Sequence, residues 1–279
     1  MKILVQQPTE PIIEGILQTL ISIGENVIVW NPTTPAQDLL DIHKPELTIC
    51  YNDSLKVKPT GKLILVGEHS NNIRPDLLCR SANQHHIDKD AQSRLSYANE
   101  VLFLETAANF AYTNMGTDTK DKTDPKYKTD LFYYSQNTTP EILKYLLDIE
   151  PKYQLKIIGP HRLPLPSYLG VGDSDDIVKF MRSCKIALAF DSSVLYTYAA
   201  NNVFCVTNQN TDLFPPISDL EKIAKYDVEQ IDKIVDKAYN YVIAHHTYFH
   251  RVHNIFTRLG YLEQAEKCLT TLKQITNPT

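Results

Sequence analysis

The feature that most constrains the fold is an alternation of short apolar runs with stretches of helical periodicity. In the first half the helical stretches are Pro11–Ile23, which ends at the C-capping Gly24, and Pro35–Ile42. Continuous apolar runs are typical of parallel strands that are buried on both faces. The predicted strands are Lys2–Val5, Asn26–Trp30, Leu47–Tyr51, Lys62–Val66 and Glu100–Leu104. This order predicts an open, doubly wound sheet.

The second half repeats the alternation. Its predicted strands are Leu131–Ser135, Gln154–Ile158, Lys185–Phe190 and Val203–Thr207. Its predicted helices are Pro140–Ile149, Asp173–Ser183 and Val194–Asn201, and everything after Ser218 has a helical pattern. The sequence therefore predicts an α/β fold of two Rossmann-like domains with a helical C-terminus.

A polar stretch separates the two halves. Residues Thr113–Asp130 read TNMGTDTKDKTDPKYKTD and have almost no apolar content, which is typical of a domain linker or of a long surface loop. We take the linker interpretation, because 279 residues are enough for two domains of ordinary size. The expected division is an N-terminal domain at 1–115, a linker at 116–130 and a C-terminal domain at 131–279 that includes the closing helices.

Composition excludes several classes of protein. The net charge is −5 and the Lys and Arg residues are scattered, which makes nucleic acid an unlikely main partner. No apolar run is long enough to span a membrane. The five cysteines are odd in number and show no CxxC spacing, so we interpret them as small buried hydrophobes in a reducing compartment and expect a cytoplasmic protein.

Three segments of the second half resemble a known family. They read LKIIGPHRLPLPSYLGVGDSDDIVKFMRSCKIALAF, VLYTYAANNVFCVT and HHTYFHRVHNIF, and the likeness covers roughly residues 131–260. They are similar to the C-terminal domain of CgeB-like and group 1 glycosyltransferases, including the late H-T-Y-x-x-R helix start at His246–Arg251. The resemblance implies a GT-B arrangement, with two Rossmann-like domains facing across a cleft. It also implies a nucleotide-sugar donor on the C-terminal domain, an acceptor on the N-terminal domain and no metal.

Two positions depart from the family pattern. Thr197 stands where the family has a Glu that holds the ribose of the donor, and Thr cannot make the charge-assisted bonds of a carboxylate. Asn202 stands where the family has a Gly, and Asn tolerates a left-handed backbone, so the turn can still form.

Candidate donor-binding residues lie in the loops that follow the strands of the second half. The loops Gly159–Gly172 and Asp191–Val194 are expected to form a groove that holds a diphosphate. Alternatives are a solvated loop for the first and simple helix capping by Ser192 or Ser193 for the second, and an inward-facing Asp191 would repel a diphosphate. The candidates are Ser135, Asn137, His161, Arg162, Ser192, Ser193 and Thr197.

Candidate catalytic residues lie in the loops after the strands of the first half. A transferase that inverts configuration needs a base for the hydroxyl of the acceptor. His69 and Glu68 directly follow a predicted strand, and Glu10 follows the first strand.

Metal and P-loop motifs are not supported. The acidic run Asp173–Asp176 opens a predicted helix, where Asp and Ser act as caps. Four histidines between His245 and His253 have helical spacings that suit zinc, but no acidic residue lies near them, and the resemblance explains them as part of a closing helix. Only nine glycines occur and no P-loop pattern exists.

The main hypothesis is therefore a metal-independent glycosyltransferase whose co-substrate is a nucleotide sugar and which needs no other cofactor. The alternatives are a non-catalytic GT-B-like binding protein and a nucleotide-sugar epimerase. The acceptor and the oligomeric state stay open.

Overall fold

The chain forms two units, each built around one parallel sheet. The computed structural model describes residues 1–8, 11–51, 55, 58–67, 73–81, 101–104, 107–108, 125–136 and 138–276. The first unit comprises Met1–Thr106 and Tyr248–Thr279, and the second comprises Ala107–Thr247. Within the described ranges, no helix has both the length and the apolar content of a membrane span.

The sheet of the first unit has six parallel strands in the order β2-β1-β3-β4-β5-β6. The strands are β1 (Lys2–Gln6), β2 (Asn26–Trp30), β3 (Leu47–Tyr51), β4 (Lys62–Val66), β5 (Leu77–Ser81) and β6 (Val101–Leu104). Helices α1 (Pro11–Ser22) and α2 (Ala36–His43) connect the first three strands. The sequence prediction missed β5, whose short LLCRS run lies between two strands that were predicted.

Alternate residues of the strands bury opposite faces of this sheet. On one face Leu4, Cys50 and Leu65 pack with Trp30 and with Leu40 of α2. Residues of the other parity, such as Ile3, Val5 and Ile49, are also almost fully buried. Burial on both faces explains why these strands are continuously apolar in the sequence.

The last two helices belong to the first unit. They are α8 (Tyr248–Leu259) and α9 (Leu262–Thr276). A Cβ atom at Gly15 of α1 would lie 2.2 Å from the ring of Tyr248, so only glycine allows this close approach. Lys62 Nζ donates to the carbonyl of Leu259 at the end of α8 over 2.6 Å.

The structure thus divides the chain differently from the sequence prediction, which placed the closing helices in the second domain. The apolar face of α8 packs against α1 and α9 packs against α8, and sequence proximity does not reveal the contact with α1. The predicted linker at 116–130 falls largely outside the described residues.

The sheet of the second unit has four parallel strands in the order β10-β9-β7-β8. The strands are β7 (Thr129–Tyr134), β8 (Leu155–Ile158), β9 (Cys184–Ala189) and β10 (Cys205–Thr207). The helices are α3 (Pro140–Ile149), α4 (Ser174–Ser183), α5 (Ser192–Ala200), the single turn α6 (Leu220–Ile223) and α7 (Val228–His245), and a 3₁₀ turn (Ile217–Asp219) precedes α6.

Polar residues cap the helices α3, α4 and α5 of the second unit, at the predicted positions for α3 and α4. Asp173 accepts a hydrogen bond from the N–H of Asp176 over 2.7 Å and caps α4, which confirms the capping interpretation of this acidic run. Asn202 has a φ of 55°, so the left-handed turn after α5 forms without glycine. The α/β class, the two Rossmann-like sheets and the helical C-terminus are confirmed.

Burial also accounts for the cysteines. Cys50, Cys79, Cys205 and Cys268 are buried, Cys184 is half-buried, and none of the five, all of which the structure describes, forms a disulfide. Burial raises the pKa of Cys184 to about 12, so its thiol stays protonated and unreactive near neutral pH.

Candidate functional site

The sheet order of the second unit creates a topological switch point between β7 and β9. The chain leaves β7 through α3 to β8 on one side, and leaves β9 through α5 to β10 on the other side. Ligands of open α/β sheets bind where such connections diverge, beyond the carboxyl ends of the strands. The N-termini of α3 and α5 both lie at this edge, and each carries a partial positive charge.

Aromatic and hydroxyl groups line the β7 side of the switch point. The Tyr133 ring meets the Phe190 ring edge-on, with 5.3 Å between the centroids. The Tyr133 hydroxyl lies 3.2 Å from Thr138 Oγ1. Burial raises the pKa of Tyr133 and the nearby Asp191 carboxylate adds to this rise, while the hydrogen bond with Thr138 opposes it. The phenol therefore stays neutral at physiological pH.

The α5 N-terminus is capped by Asp191. Its Oδ1 accepts from the Val194 N–H over 2.9 Å and from the Ser193 hydroxyl over 2.6 Å. The cap is thus Asp191 rather than Ser192 or Ser193, the two residues that the sequence offered for this role. The Ser193 hydroxyl already donates its proton to a carboxylate, which leaves its oxygen as an acceptor.

Thr197, one turn into α5, directs its hydroxyl into its own helix. Its Oγ1 donates to the Ser193 carbonyl over 2.9 Å, and its own carbonyl accepts from Asn201 Nδ2 over 2.8 Å. This back-bonding is a common conformation of helical Thr. The residue that replaces the family's Glu is thus involved in local helix bonds.

Gln209 is a residue that the sequence interpretation did not single out. Its Nε2 donates to the Phe190 carbonyl over 2.8 Å, and its N–H donates to Thr207 Oγ1 over 3.0 Å. These bonds tie the loop after β10 to the segment that leads into Asp191. The strand-end rule selects this loop, but no spacing or composition signal identifies Gln209.

The loop after β8 is fastened to the end of β7. Ser135 is fully buried, its Oγ donates to the His161 carbonyl over 3.0 Å, and its carbonyl accepts from the His161 N–H over 3.2 Å. Gly159 lies against it with a φ of 151°, and a Cβ there would come within 2.5 Å of the Ser135 carbonyl oxygen.

The same loop covers the edge of the sheet. Ile157 of β8 accepts from Leu169 over 2.8 Å and donates to Ser167 over 3.0 Å, so the segment Ser167–Gly170 runs beside the strand. Pairing of this kind protects an edge strand from other chains.

Arg162 stands at a groove that this loop forms from its own residues. The groove has a volume of about 560 Å³, and its lining residues are Arg162, Leu163, Pro164, Leu165, Pro166 and Tyr168. His161 and Arg162 are exposed. In the strand order, β7 lies between β8 and β9. The connection after β7 therefore comes between this groove and the Asp191–Val194 segment, whereas the sequence predicted that the two loops line one groove.

Four candidates fall outside the described residues. They are the three candidate bases Glu10, Glu68 and His69 and the donor-binding candidate Asn137.

The histidine-rich segment does not lie on a single helix. His246 ends α7 and stacks on Tyr196 at 4.6 Å between ring centroids, whereas His250 and His253 belong to α8. His253 Nδ1 lies 3.0 Å from the Ala265 carbonyl of α9. In the part of the chain that the structure describes, no three His, Cys, Asp or Glu side chains group as metal ligands.

Comparisons with known proteins find similarity to solved structures alone. No family of known proteins matches the chain, and no curated protein does. The UDP-GlcNAc 2-epimerase of Neisseria meningitidis, solved with UDP-GlcNAc, is similar at 10% identity and a TM-score of 0.46, over 86% of this chain and 96% of that one. The UDP-GlcNAc 2-epimerase of Methanocaldococcus jannaschii is similar at 12% identity and a TM-score of 0.39, over 86% of this chain and 92% of that one. At this level of similarity the fold class rests on the two sheets themselves.

Proposed function

We propose that the second unit binds a nucleotide-activated sugar at the switch point between β7 and β9, and that the protein is an enzyme that acts on this sugar. The observation that carries the proposal is the direction of the polar groups at the two strand ends. Ser135 bonds towards β8, Asp191 bonds into α5, and Gln209 draws the Phe190 carbonyl towards β10. The gap between β7 and β9 is therefore flanked by two helix N-termini and is not bridged by these three side chains.

The two helix N-termini suit different parts of such a ligand. Thr139 caps α3 through a long bond of 3.4 Å from the Ile142 N–H, and the exposed Glu141 is the acidic residue of the first turn. We place the diphosphate at this N-terminus because its partial positive charge attracts an anion and its capping residue, unlike Asp191, carries no charge. The Asp191 carboxylate at α5 repels phosphate and accepts hydrogen bonds from hydroxyl groups. The sugar or ribose hydroxyls therefore fit at α5, and the exposed Arg162 supplies a cation for the phosphates.

Glycosyl transfer is the reaction that the sequence resemblance favours. It needs a base for the acceptor, and the candidates remain His69, Glu68 and Glu10 in the first unit. An epimerase would bind the same nucleotide sugar at this site, but it would need no acceptor. The two solved structures named above are UDP-GlcNAc 2-epimerases, so both reactions belong in the test.

Calorimetry with UDP-, GDP-, ADP- and dTDP-sugars tests the binding step. We expect one of them to bind, and we expect Arg162→Ala to weaken its binding by about 1.5–3 kcal/mol, because an Arg–phosphate bond is charge-assisted. Arg258→Ala, which removes an exposed Arg from α8 in the first unit, is the matched control and should leave binding unchanged. If no donor binds the intact protein, the proposal is wrong.

Product analysis separates the two reactions. Conversion of the donor to a second nucleotide sugar without acceptor identifies an epimerase, and release of nucleoside diphosphate that depends on an added acceptor identifies a transferase. Under transfer, His69→Ala should lower turnover with little change in donor affinity. A donor that binds but reacts in neither assay would indicate the non-catalytic binding protein.

A further inference from the structure

We infer that Ser135 is a positioning residue, which acts on the ligand through the backbone of His161 and thereby places Arg162. This inference rests on the proposed function, because Arg162 is assigned there to the phosphates of the donor. The sequence interpretation grouped Ser135 with the residues that touch the donor. The structure indicates a different role for it.

The Ser135 side chain is not available to a ligand. It has no exposed surface, and its hydroxyl proton is used in the 3.0 Å bond to the His161 carbonyl. A hydroxyl has a single proton to donate, so it cannot hold this carbonyl and a phosphate at the same time.

The contacts of Ser135 hold both polar groups of the His161 backbone. The hydroxyl binds the carbonyl of His161, and the Ser135 carbonyl accepts the His161 N–H over 3.2 Å. The carbonyl of His161 belongs to the peptide group that leads into Arg162. On the other side of Arg162, the Leu163 side chain is anchored in the core with 5% exposure.

Arg162 is therefore an exposed side chain on a backbone that is fixed before and after it. Tyr168 strengthens the same loop, because its hydroxyl donates to the Gly159 carbonyl over 2.8 Å. A side chain that is held ready for its ligand loses less conformational freedom on binding, so a fixed Arg162 binds phosphate more tightly than a mobile one.

A double-mutant cycle with the diphosphates of uridine, guanosine, adenosine and thymidine as probes tests this inference. Ser135→Ala should weaken binding about fivefold, and Arg162→Ala should weaken it about 10- to 100-fold. In the Arg162→Ala background, the additional loss of affinity from Ser135→Ala should shrink to less than about twofold, because Ser135 affects binding only through the position of Arg162.

Thr129 provides a matched control on the same strand. Its buried hydroxyl also donates to a backbone carbonyl, that of Gln154 over 2.5 Å, but it lies at the opposite end of β7. Thr129→Val should lower the thermal midpoint about as much as Ser135→Ala does, and should leave the affinity for the diphosphates within about twofold of the original protein. Equal affinity losses in the two variants would mean that general destabilisation explains the effect of Ser135.

Ser135→Cys keeps nearly the same shape and replaces a strong donor by a weak one. It should show the same loss of affinity as Ser135→Ala, and wild-type affinity in this variant would overturn the inference. An equal loss from Ser135→Ala with and without Arg162 would also overturn it while leaving the proposed function intact. If the original protein binds none of these diphosphates, or if Arg162→Ala has no effect, the fault lies in the proposed function itself.

Discussion

The two sheets share the same strand–helix alternation but differ in what lies across their switch points. In the first unit the divergence lies between β1 and β3, where Gln6 accepts the Tyr51 N–H through Oε1 over 2.8 Å. Gln6 is 5% exposed, so a buried side chain links the two strand ends. In the second unit, Ser135 and Asp191 stand at the corresponding strand ends and both bond away from the gap.

This comparison teaches that a shared topology does not assign a ligand site. The strand-end rule selects both edges equally. The hydrogen bonds at the strand ends differ, because Gln6 is long enough to cross between neighbouring strands whereas Ser and Asp side chains reach their own loop or helix. The second sheet is for this reason the better candidate for ligand binding.

The largest expected effect comes from Gly159→Ala, which disrupts the close packing of Gly159 against Ser135 at the end of β7. The added Cβ would lie 2.5 Å from the Ser135 carbonyl oxygen on a backbone with a φ of 151°. Overpacking and the strained backbone together should cost about 3 kcal/mol of unfolding free energy, measured by urea denaturation.

Gly24→Ala is the matched control for this prediction, since Gly24 has a φ of 78° with open space around its Cβ position. It should cost only about 1 kcal/mol, from backbone strain alone. A similar loss of unfolding free energy at both positions would show that Gly159 does not pack closely against Ser135.

Gln6→Leu tests the linked strand ends of the first sheet. It should lower the unfolding free energy by about 2 kcal/mol, because the Tyr51 N–H loses its partner beside the buried Gln6. Gln37→Leu, at an exposed position on α2, should stay within about 0.5 kcal/mol of the original protein. A neutral Gln6→Leu variant would remove the contrast between the two sheets.

Asp191→Asn tests the switch point of the second sheet. Asn still caps a helix, so stability should change little, while loss of the negative charge should strengthen binding of inorganic pyrophosphate by about 1 kcal/mol. Asp227→Asn, at the capping box of α7, is the control and should leave pyrophosphate binding unchanged. Unchanged binding in the Asp191 variant, measured by calorimetry, would mean that the diphosphate lies too far from the α5 N-terminus for a site at this switch point.

The smallest effect is expected at the opposite end of the second sheet, where Lys185 of β9 lies 2.5 Å from Asp130 of β7. The hydrogen bond from Lys185 holds the pKa of Asp130 below its ordinary value. The stabilisation is therefore present above about pH 4 and is lost as the pH falls through the lowered pKa. Because both groups are partly exposed, Lys185→Gln should cost only a few tenths of a kcal/mol at pH 7, measured by urea denaturation, and progressively less as the pH falls below about 4.

Sequence patterns predicted the helices and most strands closely because these depend on neighbouring residues. The β3 and α3 boundaries agree residue for residue, and Asn202 forms the expected left-handed turn. The prediction missed β5, whose short apolar run carries no turn or helix signal of its own. It also misplaced α8 and α9, because the fit of Tyr248 against Gly15 joins positions far apart in the chain.

The same distinction between local patterns and contacts of distant residues applies to the candidate site. The strand-end rule led to the loops that contain Ser135, Arg162 and Asp191, since those loops follow from the strand positions alone. It did not reveal that Ser135 binds the His161 carbonyl, or that Gln209 holds the Phe190 carbonyl. Such bonds depend on side-chain directions that are set only when strands from different parts of the chain pair.

By itself the sequence determined the α/β class, the two sheets and the caps of α3 and α4, because apolar periodicity and capping are local properties of the chain. Only the tertiary structure decided the strand order and the unit to which the closing helices belong. It also decided which hydroxyl groups donate hydrogen bonds within the protein and are therefore not available to a ligand. Each of these depends on which distant segments bury each other's apolar surface and satisfy each other's polar groups, and no local pattern contains that information.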